Sequence, residues 1–243
     1  MKKLMAMLLA LVMVMSLAAC GEQKTNDNQG DTASDDANTP AEITYAVEAG
    51  SADAAIIDLL MAGARVGEGT SYPDLKVTDQ KLNSELYGVG CRKGSDLTSF
   101  INSVMSAAYA DGTMVELAKT YGVQESLLEQ PACEFTAAES DSDVQYIQDK
   151  GKLIVGITEF APMDYQDANG QWIGFDADMA KLVAEKLGVE VEFQIINWDM
   201  KVEELDGKQI DCVWNGMTLT DGVQAAMECS NAYCENAQVV ITK

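Results

Sequence analysis

The sequence has no histidine, four prolines and two arginines, Arg65 and Arg92. Without imidazole, the commonest metal ligand and the commonest general base near neutral pH are both missing, which removes most zinc-site and catalytic-triad readings. Basic residues number 16 against 39 acidic ones, for a formal charge of −23. Such a chain repels phosphates and has no counterion-releasing patch, so nucleic acid is not expected as a partner. No C-x-x-C occurs, and nothing in the spacing of Cys, Asp and Glu implies a metal or cofactor. Aromatic residues make up only 7% of the 243 positions, yet the hydrophobic share of 47% is ample for a folded core.

What is present begins with a leader. Lys2 and Lys3 precede an apolar run from Leu4 to Leu17, and small residues lead to Cys20 and Gly21. This reads as an export signal, and the run is shorter than the roughly 20 residues of a membrane-spanning helix. Leu17-Ala18-Ala19-Cys20 resembles the bacterial lipobox, which implies cleavage, lipidation of Cys20 and an extracytoplasmic chain held at the membrane by acyl groups. Anionic lipid would repel so acidic a protein, leaving the acyl chains to hold it. Five further cysteines, Cys91, Cys133, Cys212, Cys229 and Cys234, leave at least one thiol unpaired. Cys229 and Cys234 are close enough in sequence to pair; buried free thiols are the preferred alternative.

Residues 21–42 are mostly polar and cannot offset the entropy of ordering them, so they are expected to form a tether. A second polar stretch, residues 136–143, is expected to link two structured parts, 43–135 and 144–243. In the first part, Ala52–Asp58 and Tyr87–Cys91 read as strands, Leu59–Val66 as a helix, and Leu97–Met105 and Met114–Tyr121 as two helices broken at Asp111-Gly112. In the second part, Leu153–Ile157 reads as a strand and Phe175–Leu187 as a helix ended by Gly188. Val189, Val191, Phe193 and Ile195 then alternate with polar residues as a half-buried strand. Strands are also expected at Asp211–Asn215 and Gln238–Thr242. Strand, helix, strand in that order indicates a βαβ unit and an α/β sheet. A Gly-x-x-Asp echo precedes the strands at residues 54 and 212 and is compatible with two lobes.

The segments KLIVGITEFAPMDY (152–165), DANGQWIGFDADMAKLVAEKLG (167–188), Trp198-Asp199, GKQIDCVWNGMTLTD (207–221) and SNAY (230–233) resemble the N-terminal half of the amino-acid-type (family 3) solute-binding proteins of bacterial ABC importers. EAGSADAAIID (48–58), ELYGVGCRKGSDL (85–97) and SAAYADGTMVELAKTYG (106–122) resemble that family's C-terminal half. The halves stand in reversed order, as in a circular permutation. The resemblance implies an α/β, two-lobed periplasmic-binding-protein-like fold, with one lobe complete and the second incomplete. Residues 43–135 would supply part of lobe 2 and the closing helices of lobe 1; residues 144–243 would supply the core of lobe 1 and the hinge strand. It further implies a ligand that is an amino acid or similar small molecule, an ABC transporter permease as partner, and no catalysis.

Carried over position by position, the resemblance puts the ammonium-binding acid at Asp58, an aromatic wall at Phe160 and a second lining residue at Trp198. Asn215, Gly216 and Thr218 fall on the strand-end loop that contacts ligand. Where the family usually has an arginine for the ligand carboxylate, this chain has Val223, and both arginines read as surface charges. Two other readings remain open. One is a degenerate or sensory lipoprotein that binds no transported solute. The other is a dehydratase-like enzyme on the same fold, for which Glu159 is the only candidate acid.

Overall fold

The computed structural model describes residues 40–243, so the leader, Cys20 and most of the proposed tether lie outside the described residues. The tether's expected end at residue 42 is corrected: α1, Pro40–Glu48, starts two residues earlier. Proline suits the first helical position because its missing N–H has no partner there anyway. After α1 come β1 (Ala54–Asp58), α2 (Leu59–Arg65), β2 (Lys76–Lys81), β3 (Glu85–Cys91), α3 (Leu97–Ala110) and α4 (Thr113–Thr120). The second part contains α5 (Asp143–Lys150), β4 (Lys152–Ile157), the short hairpin β5 (Tyr165–Gln166) and β6 (Trp172–Ile173), and α6 (Phe175–Leu187). It continues through β7 (Glu190–Ile195), α7 (Lys201–Asp206), β8 (Cys212–Thr218), α8 (Asp221–Ala226), β9 (Glu228–Cys229), β10 (Cys234–Asn236) and β11 (Gln238–Thr242).

The larger sheet runs β10-β3-β8-β4-β7, with β9 pairing β3. β4 lies parallel to both β7 and β8, while β3 runs antiparallel to β8 and β10. The β4–α6–β7 passage is thus the βαβ unit that the strand, helix, strand order indicates. Helix α6 ends where Gly188 takes φ 74°, a left-handed turn open to glycine at no steric cost. Helices α3 and α4 bury Leu97, Ile101, Met105, Met114 and Ala118 in the same core as Leu153, Val155, Phe175 and Met179. Residues on both sides of the 136–143 stretch therefore build one core.

A second, smaller core holds Val47, Ile57, Ala62, Val66, Leu75, Val239 and Ile241 beneath the antiparallel sheet β1-β11-β2. The described residues are mixed α/β, with two main sheets, the short β5–β6 hairpin and three apolar clusters. In the small sheet Ile56 and Val240 are register partners, and Ile56 remains 57% exposed. The chain crosses between sheets twice, from β2 to β3 through residues 82–84 and from β10 to β11 through Ala237. Leu82 N–H donates to the Gln238 carbonyl (2.9 Å), and Gln238 N–H to Asn83 Oδ1 (2.9 Å), so the two crossings run side by side.

Four local expectations need correction. The strand after α6 does not bury Ile195, which is 66% exposed; Ile196 is buried instead, because the strand ends at Ile195 and the next residue enters a third apolar cluster with Leu205, Ile210 and Met217. Asp143 is not linker but the first residue of α5, with Ser142 capping it by accepting from Gln145 N–H at 3.1 Å. Arg92 is not a surface charge: it is buried, with its guanidinium on Asp143 (3.0 Å) and on the carbonyl of Ile210 (2.7 Å). Burial works against its charged form, but the two carboxylates of Asp143 and Asp211 outweigh that and raise its pKa. Finally, the Gly-x-x-Asp echo joins unlike positions. Asp53 is exposed before an edge strand, whereas Asp211 is fully buried before an interior one and takes Lys150 Nζ at 2.6 Å. All five described cysteines are free.

Candidate functional site

Asp58 stands at the end of β1, just before α2, and its side chain makes no capping bond to that helix. Its Oδ2 instead accepts from the Tyr87 hydroxyl at 2.5 Å, a bond from the small sheet to β3 of the large one. Its Oδ1 is buried and makes no hydrogen bond of normal geometry, although Asn236 and the Leu60 N–H act on the carboxyl and Gln238 Nε2 reaches Oδ2 at 3.4 Å. Burial pushes the Asp58 carboxyl up to about 6; the Tyr87 hydroxyl pulls it back down, and the charge of Glu85 adds to the rise. Tyr87, itself 1% exposed, has its hydroxyl proton held far more tightly than usual, first by burial and then by Asp58.

Around this pair the strand ends converge. The Phe160 ring lies 6.5 Å from that of Tyr87, edge to face at 64°. Gly216 sits between them with φ 57°, and a Cβ there would stand 2.6 Å from Phe160 Cε1 and 3.1 Å from Tyr87 Cε2. Glycine is required by both the left-handed backbone and the close approach of two rings. Thr218 is the register partner of Tyr87, and its hydroxyl reaches Glu85 Oε2 at 3.4 Å. Glu85 also takes Asn236 Nδ2 (3.2 Å) and Gln238 Nε2 (3.3 Å), which ties the cluster to the crossings.

The structure thus brings Asp58, Phe160, Gly216 and Thr218 together. Asn215 is committed elsewhere: its amide bridges Thr158, accepting from the backbone N–H (2.8 Å) and donating to the hydroxyl (2.7 Å). The N–H of Gly216 donates to Asp176 at 2.6 Å, so glycine offers the site its missing side chain rather than a free donor. Trp198 packs on the cluster of Ile196, Leu205 and Met217, with Lys201 Nζ 4.8 Å from its ring centre. Val223 joins that same cluster. Tyr87 and Glu85 were not identified from the sequence, although both stand two residues apart on one strand face, where period-2 spacing puts them beside each other.

The side chains hydrogen-bonded into the cluster are acidic or neutral, and among the described residues no group of three or more acids and thiols has the arrangement of a metal site. Glu159 is exposed. A concavity of about 350 Å³ lies elsewhere, on α3 and α6, lined by Phe100, Val104, Ala107 and Leu182.

Residues 153–243 match the model of the bacterial extracellular solute-binding proteins, family 3. The arginine-binding extracellular protein ArtP of Bacillus subtilis (strain 168) is 32% identical over 95 residues, which are 39% of this chain and 37% of ArtP. The L-cystine-binding protein TcyJ of Escherichia coli (strain K12) is 32% identical over 88 residues, 36% of this chain and 33% of TcyJ. The chain therefore spans about a third of the length of these curated relatives. Among solved structures, the arginine-bound domain 1 of TmArgBP is 32% identical, covering 38% of this chain and 82% of that domain, with a TM-score of 0.32. The named curated relatives are binding proteins.

Proposed function

We propose that this chain, whose residues 153–243 match the family 3 extracellular solute-binding proteins, belongs to that family and captures an amino acid or a related small polar solute outside the cytoplasm, handing it to an ABC transporter permease. Closure about the two crossings, acting as a double hinge, brings the small sheet, carrying Asp58, over Phe160, Gly216 and Thr218. Lipid on Cys20 anchors the protein, and the reversed order of its halves is a circular permutation of the family pattern.

The observation that carries this reading is the Asp58 carboxylate: it is largely buried, has one oxygen with no hydrogen bond of normal geometry, and meets an aromatic pair at the junction of two sheets. An ammonium group placed on that oxygen would gain a charge-assisted hydrogen bond, while Phe160 supplies a flat wall. The hydrogen bonds within the cluster come from tyrosine, threonine, asparagine and glutamine, and Arg92 is locked on Asp143 and Asp211. The ammonium end of the solute is therefore the end this site recognises.

A thermal-shift screen of the amino acids and of simple amines tests the proposal. A solute at 100 times its dissociation constant adds about 2.7 kcal/mol. At least one ammonium-bearing solute is expected to raise the melting temperature, and Asp58→Asn is expected to remove that rise. No shift with any solute at millimolar concentration would favour the reading as a sensory or degenerate lipoprotein.

A further inference from the structure

Beneath the cluster lies a pair of carboxyl groups that solute binding does not use. Asp164 and Asp176 are both 0% exposed. Their backbones are adjacent: Asp176 N–H donates to the Met163 carbonyl at 3.0 Å, one residue before Asp164. Asp176 Oδ2 accepts twice, from the Tyr233 hydroxyl (2.7 Å) and from Gly216 N–H (2.6 Å). Its Oδ1 makes no hydrogen bond of normal geometry, although the Trp214 indole N–H, itself without one, also pulls on the Asp176 carboxyl; neither oxygen of Asp164 has a partner. The titratable groups facing the pair are Tyr233, Cys234 and Tyr87, and the groups acting on the two carboxyls include no lysine or arginine.

Two ionised carboxylates in this setting would each be desolvated, mutually repelling and short of donors. One proton resolves all three problems, because a protonated carboxyl is itself a donor and the neighbouring oxygen is free to accept. Asp176 is the better seat for the negative charge, since two strong donors already point at it. Asp164, with none, is the better seat for the proton.

We propose that Asp164 and Asp176 share a single proton in the folded protein, carried by Asp164 and directed at Asp176 Oδ1, and that Asp164 acts through Asp176 as a positioning residue for Gly216. The proton fixes the turn on which Phe160 and Tyr87 close, so the floor of the cluster is sensitive to pH although no titrating group of the pair reaches solvent. Burial, followed by the charge of Asp176, drives the Asp164 pKa well above that of an ordinary carboxyl, while burial raises Asp176 against the pull of Tyr233 and Gly216.

Asp164→Asn places an uncharged donor where the proton is proposed to sit. Wild type and D164N are expected to melt together near pH 4. As the pH rises toward 9 the wild type should fall progressively below D164N, because the unfolded wild-type chain releases this proton above the ordinary carboxyl value while the folded protein still holds it, a linkage that asparagine lacks. The infrared carbonyl band of a protonated carboxyl should persist in the folded wild type at pH 8 and be missing from D164N. Parallel melting curves for the two proteins across this range would overturn the proposal, as would a wild type with no such band at pH 8. The wild-type spectrum decides the matter alone if D164N fails to fold.

Discussion

Asp58→Asn offers a stability measurement that separates a solute-binding acid from a structural one. In the folded protein the Asp58 carboxyl is pushed up to about 6, against an ordinary value of 3.8. The folded state thus holds this proton more tightly than the unfolded chain does. The stabilisation so gained is fully present below 3.8 and is lost as the pH rises through about 6. A shift of about 2 units corresponds to about 3 kcal/mol at the upper end. Asparagine keeps an oxygen to accept from the Tyr87 hydroxyl and has no charge to desolvate. D58N is therefore expected to match the wild type at pH 4 and to exceed it by about 1–3 kcal/mol at pH 8. At about 2–4 °C per kcal/mol, that is a melting temperature higher by roughly 2–12 °C. Thermal melts followed by circular dichroism at pH 4, 6 and 8, without solute, measure the gap directly. A gap that stays constant with pH, or a D58N protein less stable at pH 8, would refute the claim that Asp58 is held at a cost to the fold. Acids kept at such a cost are concentrated at functional sites.

Gly216→Ala is expected to lower stability by about 2–5 kcal/mol in equilibrium unfolding, combining a left-handed backbone with a Cβ 2.6 Å from the Phe160 ring. A loss within about 0.5 kcal/mol would mean that the turn relaxes freely. Arg92→Ala should cost about 3–5 kcal/mol in urea unfolding, because it leaves the buried Asp143 and Asp211 to Lys150 and the distant Lys208 among the ion pairs of the described residues. An unchanged midpoint would show that this network contributes nothing. Asp96 accepts from the Ser142 hydroxyl (2.5 Å) and from the N–H groups of Ala138 and Val144 (3.1 Å each), pinning the polar stretch before α5. Asp96→Ala should cost about 1–3 kcal/mol and speed proteolytic cutting within residues 136–142; cutting at the wild-type rate would contradict that role.

The elements legible in the sequence were those whose apolar residues repeat with one period and whose ends carry a local signal. Helix α6 spans Phe175–Leu187 as its periodicity and Gly188 require, and β4 and β11 fall where short apolar runs stand between turn residues. β2 was not legible because KVTDQK has almost nothing to bury: five of its six residues are exposed, and its strand state rests on pairing with β11. Helix α5 was missed although Ser142 and Gln145 stand in capping-box spacing; the acidic, serine-rich composition before it pointed to a linker. Asp58, Phe160, Gly216 and Thr218 were nominated by resemblance and do lie together, but no local rule brings in Tyr87. Its hydroxyl reaches a carboxylate 29 residues away, across two sheets, and a tyrosine in ELYGVGC reads simply as a buried strand residue.

Two of the nominated residues support the site without a free group to offer it, which has a consequence for how it recognises a solute. Asn215 closes β8 onto the Thr158 end of β4, and Gly216 hands its N–H to Asp176. The strand-end loop is thereby tied down from below, and in the proposed function the groups that would meet a solute are the Asp58 carboxylate, the Phe160 face and the Thr218 hydroxyl, the last on release from Glu85. One anion, one apolar wall and one hydroxyl would, in that proposal, distinguish a solute by its cationic end and its flat or aliphatic body. A carboxylate on that solute would have to find its donor on another part of the chain or in a partner. In the proposed function the two parts divide the work: the floor would set shape, and the Asp58 charge on the small sheet would set which solutes are worth closing on.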